Sequence, residues 1–223
     1  MSQPTLFKLT PLRSVALAAL ATWAALAPVD AGAVDAKAAK YFEDALQRYE
    51  KKDLDGAIIQ LKNALQIDKD MLTVQMLLGK ALLQNGDVVA AEVALMQAMR
   101  LGVNRAEVVV PLAQALMAQG KQTQVLNQPL FNVADLPPGV QLQLWLLKAA
   151  AHADLGNAPA ALKAVDEARR LDARAPAVWL AEIPIRIRAR QFKEANAAAE
   201  QALALSPESS EAWYQKGTVA HVS

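Results

Sequence analysis

Four kinds of residue in this 223-residue chain could in principle do chemistry, and the spacing of each decides whether they do. A Gly-Lys pair, Gly79 and Lys80, lies in "LLGKALLQNG". A phosphate-cradling loop needs a glycine, four residues, and then Gly-Lys-Ser/Thr between a strand and a helix; here Lys80 is followed by Ala81 and its neighbours have helical spacing. The two histidines, His152 and His221, stand far apart with no second ligand at metal-binding spacing. No cysteine is available as nucleophile, and carboxylates such as Glu43 and Asp44 are adjacent on a helix and diverge. These patterns point to no catalytic residue, no metal ligand, no cofactor and no small-molecule substrate. Six arginines, Arg169, Arg170, Arg174, Arg186, Arg188 and Arg190, are a candidate patch for an anionic polysaccharide or lipid head group. Asp166, Glu167, Asp172 and Glu182 are interleaved with them, so a solvated face of ion pairs is the competing reading.

What must position such residues is a repeated helical unit. Ala57 and Ala64 recur as Ala91 and Ala98, and Gly86 recurs as Gly120, each 34 residues on. Gly156 follows after a two-residue slip, and Ala161 and Ala168 recur as Ala195 and Ala202 at 34 again. Each unit reads as a helix, a turn rich in Gly, Asp or Asn, and a second helix. Asp53, Asp87 and Asn157 occupy the N-cap of that second helix, where a side-chain oxygen accepts from free backbone N–H groups. The units lie near residues 38–71, 72–105, 106–141, 142–175 and 176–209, with a partial sixth at 210–223. In the third, Pro129 stands where a large apolar residue is expected, so its second helix should end near Asn127 and residues 128–139 should cross irregularly. Pro184 should bend or break a first helix between Glu182 and Ile185.

The first 33 residues read as an export signal. Lys8 and Arg13 precede an apolar core, Val15 to Ala27, and Ala31 to Ala33 offer a small-residue cleavage site. The expected location is the periplasm, with membrane attachment only if the signal stays uncleaved. With no cysteine there is no site for lipid anchoring. Basic and acidic residues balance, 23 against 22, which argues against a nucleic-acid partner. The array halts within a first helix, and the expectation is the amino-terminal part of a longer chain.

Leu78, Gly79, Ala91, Leu95 and Ala98, then Trp145, Ala149, Ala161 and Ala168, then Trp179, Ala195, Ala202 and Pro207 resemble the tetratricopeptide repeat. The resemblance implies an all-α, right-handed superhelical solenoid of antiparallel helix pairs, over residues 34–223, whose concave face binds other proteins. The family's groove positions fall on Phe42, Leu46 and Tyr49; Met76, Lys80 and Leu83; Glu107, Val110, Gln114 and Met117; and Gln143, Leu146 and Ala150. Phe42, Leu46 and Leu77 stand where members that clamp a terminal carboxylate carry Asn and Lys/Arg, so an apolar or amphipathic ligand is implied. Packing between units is the alternative role for these residues.

A narrower resemblance covers roughly residues 37–205. "KYFEDAL" behind the signal, "GAIIQLKNALQ" and "LLGKALLQNGD" followed by "AAE" are similar to the tetratricopeptide-repeat proteins of exosortase and PEP-CTERM systems. That likeness implies a scaffold binding protein partners of the cell envelope, including exopolysaccharide synthesis or export proteins.

Overall fold

The computed structural model describes residues 31–222; the expected export signal, apart from its last three residues, lies outside them. Eleven α-helices make up the described residues, which contain no strand. They are α1 (Ala31–Glu50), α2 (Leu54–Ile67), α3 (Leu72–Gln84), α4 (Val88–Arg100), α5 (Arg105–Ala118), α6 (Gln122–Asn127), α7 (Pro138–Asp154), α8 (Ala158–Leu171), α9 (Pro176–Arg188), α10 (Phe192–Leu205) and α11 (Ser210–Val222). Each odd helix packs on the even helix that follows it, and from α3 onward on the next odd helix as well. The result is a two-layered all-α solenoid, with odd helices in one row and even helices in the other.

The turn inside each pair is built the same way five times. Lys52, Gly86, Gly120, Gly156 and Arg190 all take positive φ, and the residue after each donates its N–H to a carbonyl five positions back. Reversing the helix this way satisfies carbonyls that the helix end leaves open. Glycine enters the left-handed region freely, whereas Lys52 and Arg190 do so at about 1–2 kcal/mol each. The following helix is capped as the sequence predicts in three pairs: Asp53 accepts from Gly56 N at 3.1 Å, Asp87 from Ala90 N at 3.3 Å and Asn157 from Ala160 N at 3.1 Å.

Between the helices of a pair, volumes are reciprocal. At equivalent repeat positions stand Ala45 and Leu61, Gly79 and Leu95, Ala149 and Val165, and Ile183 and Ala199, all buried, and Leu95 closes directly on Gly79. When the odd helix carries a small residue the even helix carries a large one. The fit is tight: a methyl group placed on Gly79 would stand 2.6 Å from Leu95 Cγ. Interiors packed to crystal-like density leave no slack for such an atom.

The third pair departs from this rule as the prolines require. Helix α6 ends at Asn127, a 3-10 turn spans Pro129–Phe131, and the link inserts Phe131 and Leu136 into the core that Ala113 and Leu112 line. Phe131 is fully buried, so one loop side chain occupies the space a second helix would fill. Arg105, at the start of α5, holds that loop: its guanidinium donates to the carbonyls of Leu130 (3.0 Å), Asn132 and Ala134 (3.3 Å).

The expected break at Pro184 does not occur. Helix α9 runs without interruption from Pro176 to Arg188, and α5 likewise contains Pro111. A mid-helix proline costs about 3 kcal/mol, and burial of Ile183 and Ile185 on either side of it offsets this, since a fully buried Ile contributes about 1.5–3 kcal/mol.

Candidate functional site

The odd helices present three successive clefts. The first, about 500 Å³, is lined from α1 by Phe42 and Leu46, from α3 by Leu72, Met76, Leu77 and Lys80, and from α5 by Glu107, with Val103 and Asn104 beside it. The second, about 260 Å³, lies between α5 and α7 among Val110, Gln114, Gln143, Leu146 and Leu147. Leu146 continues into the third, about 160 Å³, where α7 and α9 contribute Ala150, Asp154, Ala181, Pro184 and Arg188. Helical periodicity explains the continuity: Glu107, Val110 and Gln114 lie three and four residues apart on α5, so one face of one helix serves two clefts.

Of the groove residues expected from sequence, Phe42, Leu46, Met76 and Lys80 come together in the first cleft, and Val110, Gln114 and Leu146 in the second. Tyr49, Leu83 and Met117 line none of the three. Tyr49 and Leu83 pack against the core shared by α1 to α4, with the Tyr49 hydroxyl accepting from Gln84 Nε2, and Met117 packs on the core around α5. Phe42 packs on the same core as Tyr49 and Leu83, and Val110 on the same core as Met117, so these three differ from the cleft residues only in lining none of the clefts. Sequence reasoning missed Leu72 and Asn104, which flank the first cleft from loop-adjacent positions, and Asp154 in the third. The signal that would find them is position at the ends of the odd helices, beyond the helical stripe.

The chemistry of the first cleft is an apolar floor with one charge of each sign. Leu46 is 40% exposed and Leu72 42%, and the two share one cleft with Phe42, Met76 and Leu77, so their exposed apolar surface is contiguous. Lys80 and Glu107 face the same space, and neither takes part in an ion pair among the described residues. Such a surface can bury apolar groups while each charge is left to a partner.

The six arginines do not share one environment. Arg169 and Arg186 both bind Glu182, a buried carboxylate on α9, with Arg186 Nε at 2.9 Å and Arg169 also stacked 4.4 Å from the centre of Trp179. Arg170 pairs with Glu167 at 2.7 Å, and Arg188 reaches Asp154 at 3.4 Å across the third cleft. Arg174 and Arg190 alone lack an ion-pair partner among the described residues, and they sit at separate turns. Two of the six are thus held by a buried carboxylate, while Arg170 and Arg188 pair at the surface, 73% and 59% exposed.

His152 is half-buried on α7. Burial, and then the nearby charge of Lys148 one turn earlier, lower its pKa from the ordinary imidazole value. Among the described residues no group of three or more His, Asp or Glu side chains is placed to hold a metal, and no helix is long and apolar enough to cross a membrane.

Comparison with known proteins agrees with this architecture. Residues 48–119 match the family model described as tetratricopeptide repeat. No curated protein sequence matches the chain. Among solved structures, a tetratricopeptide repeat protein from Parabacteroides merdae superposes with a TM-score of 0.67 at 12% identity, over 84% of this chain and 73% of that one. PilF of Pseudomonas aeruginosa gives 0.63 at 15% identity, over 85% and 86%. YrrB, described as a TPR protein with an unusual peptide-binding site, gives 0.55 at 15% identity, over 79% and 90%. At these identities the likeness is one of fold.

Proposed function

We propose that this tetratricopeptide-repeat solenoid is an exported, non-enzymatic scaffold that gathers protein partners in a bacterial envelope assembly linked to exopolysaccharide production and PEP-CTERM protein sorting. The repeat fold is a protein-binding architecture, and stacked repeats make an extended surface of fixed curvature. The observation that carries the reading is the first cleft, where exposed Leu46 and Leu72 surround apolar space between unpaired Lys80 and Glu107. The site suits an amphipathic or extended peptide segment: apolar side chains would be buried on Phe42, Met76 and Leu77, and the two charges would fix direction. It does not suit a terminal carboxylate clamp, because the positions such a clamp requires are apolar. The export signal supports a periplasmic site of action, and the similarity of residues 37–205 to exosortase-linked repeat proteins supports the particular assembly. An anionic glycan bound by the arginines has less support, since Arg169 and Arg186 are held by the buried Glu182.

The test is genetic. A strain carrying Leu46→Asp with Leu72→Asp is expected to lose exopolysaccharide and PEP-CTERM protein processing as fully as a deletion strain, whereas Ile59→Asp, on the opposite layer and 58% exposed, leaves both intact. A deletion strain with normal polysaccharide and normal processing would overturn the assignment to that assembly.

A further inference from the structure

Repeat register places the two free charges of the first cleft relative to each other. Glu107 on α5 stands 34 residues after Thr73 on α3, and Lys80 on α3 stands 34 after Leu46 on α1. Thr73 therefore lies beside Glu107 at one level of the odd-helix row, and Leu46 beside Lys80 at another, all four lining the cleft. The two levels are seven residues apart on α3, a rise of about 10 Å. Lys80 and Glu107 also belong to neighbouring helices, whose axes pack about 8–10 Å apart. Their backbones are thus about 13 Å apart on the diagonal. Met76 and Leu77 stand midway between the two levels.

Each end has its own chemistry. At one, the Glu107 carboxylate and the Thr73 hydroxyl can both accept, and Pro111, one turn on, has no N–H to give the main-chain carbonyl of Glu107. A set of acceptors suits a cation with several N–H donors, an ammonium or guanidinium. At the other, half-buried Lys80 beside the apolar Leu46 suits a carboxylate. Among the described residues the Thr73 hydroxyl and the Asn104 amide nitrogen make no hydrogen bond; Asn104 uses only its oxygen, accepting from Ala106 N at 2.8 Å. Such uncommitted groups match an extended peptide, which brings free main-chain N–H and C=O groups, whereas a helix has satisfied its own. An extended chain advances about 3.3 Å per residue and turns alternate side chains to one side, so about 13 Å is four residues, with the first, third and fifth side chains facing the cleft. Building on the reading of the first cleft as a protein-binding site, we infer that it recognises an extended partner segment with a basic and an acidic residue four positions apart and a large apolar residue midway. The basic side chain sits on Glu107, the apolar one on Met76 and Leu77, and the acidic one on Lys80.

The probe is a library of random peptides displayed on phage and selected on the full chain. Enriched peptides are expected to carry opposite charges four positions apart around a Leu, Met or Phe, and the order of the charges reports the direction of the bound chain. Selection on a Lys80→Glu chain is expected to turn the acidic position basic and leave the basic position as it was. An enriched peptide made synthetically should bind a Lys80→Ala chain at least about threefold more weakly, as for a partly exposed ion pair. Replacing the acid of that peptide by alanine should weaken binding to the native chain and not to the Lys80→Ala chain, a comparison that separates the pair from any change in the fold. No enrichment, enriched charges without that spacing, or a selection indifferent to Lys80→Glu would overturn the motif. So would enriched helical peptides with charges about nine positions apart, the spacing a helix needs to cover 13 Å. Enriched peptides that lack the motif yet are lost on a Leu46→Asp, Leu72→Asp chain would overturn the motif alone and leave the cleft a protein-binding site.

Discussion

Phe131→Ala is expected to lower the free energy of unfolding by about 3–5 kcal/mol, the range for deleting a fully buried aromatic ring whose site cannot collapse. Collapse is prevented on every side. The ring enters a core walled by Leu112, Ala113, Leu116 and Leu144 on regular helices, so the walls cannot close without breaking helix contacts on both sides. The loop that carries the ring is also tied down, since Arg105 binds three of its carbonyls and would hold the emptied turn in place. In a solenoid each unit touches only its neighbours, so a weak third unit divides the array. Urea denaturation should therefore change from one transition to two, with amide exchange accelerated first across α5, α6 and the 128–137 link. A loss below about 1 kcal/mol with a single transition would mean that the link only decorates the core.

Glu182→Ala is the second large effect. Its carboxylate is buried and joins Arg169 of α8 to Arg186 of α9, and Arg186 passes on to Gln191, the cap position of α10. Three helices thus meet at one charge. Breaking a buried pair by removing one partner costs about 3–5 kcal/mol because a charge is left without compensation. Here the two arginines are about a quarter exposed and can turn toward water, so the expected loss is nearer 2 kcal/mol. Arg169 has a further constraint: its Nε is buried without a hydrogen-bond partner, and its guanidinium lies on Trp179. Substitution by leucine separates the charge from the packing. Glu182→Leu should fall between Ala and the native residue if packing matters, and should equal Ala if the ion pairs carry the whole effect.

How much of this was readable before the structure depends on the kind of contact. Period, caps and the length of α6 follow from local chemistry: a left-handed turn wants glycine, an N-cap wants Asp or Asn, a proline ends a helix. The two left-handed turns at Lys52 and Arg190 escaped because their residues carry no such mark, although the 34-residue spacing points to them. At Pro184 the helix is not broken, since the proline's local penalty is outweighed by the burial of Ile183 and Ile185, which no local rule registers. The cleft was legible where one helical stripe supplied it, as with Phe42 and Leu46. Tyr49, Leu83 and Met117 share the cores of cleft residues and line none of the clefts, a distinction the stripe alone does not draw. The arginines divide in the same way: the interleaved acids, Glu182 among them, marked ion pairing in the sequence, but not that Glu182 would be buried between two arginines.

The central claim is that the odd-helix face, and its first cleft in particular, is where a protein partner sits. It is tested most directly by placing a photo-crosslinking amino acid at Leu46, inside the cleft, or at Ile59 on the opposite layer, 40% and 58% exposed, in the producing cell. The expected result is a discrete crosslinked protein from position 46 that disappears when Lys80→Glu and Glu107→Lys are introduced together, with no such product from position 59. The same protein captured from 59 and not from 46, or capture at 46 indifferent to the charge exchange, would contradict it.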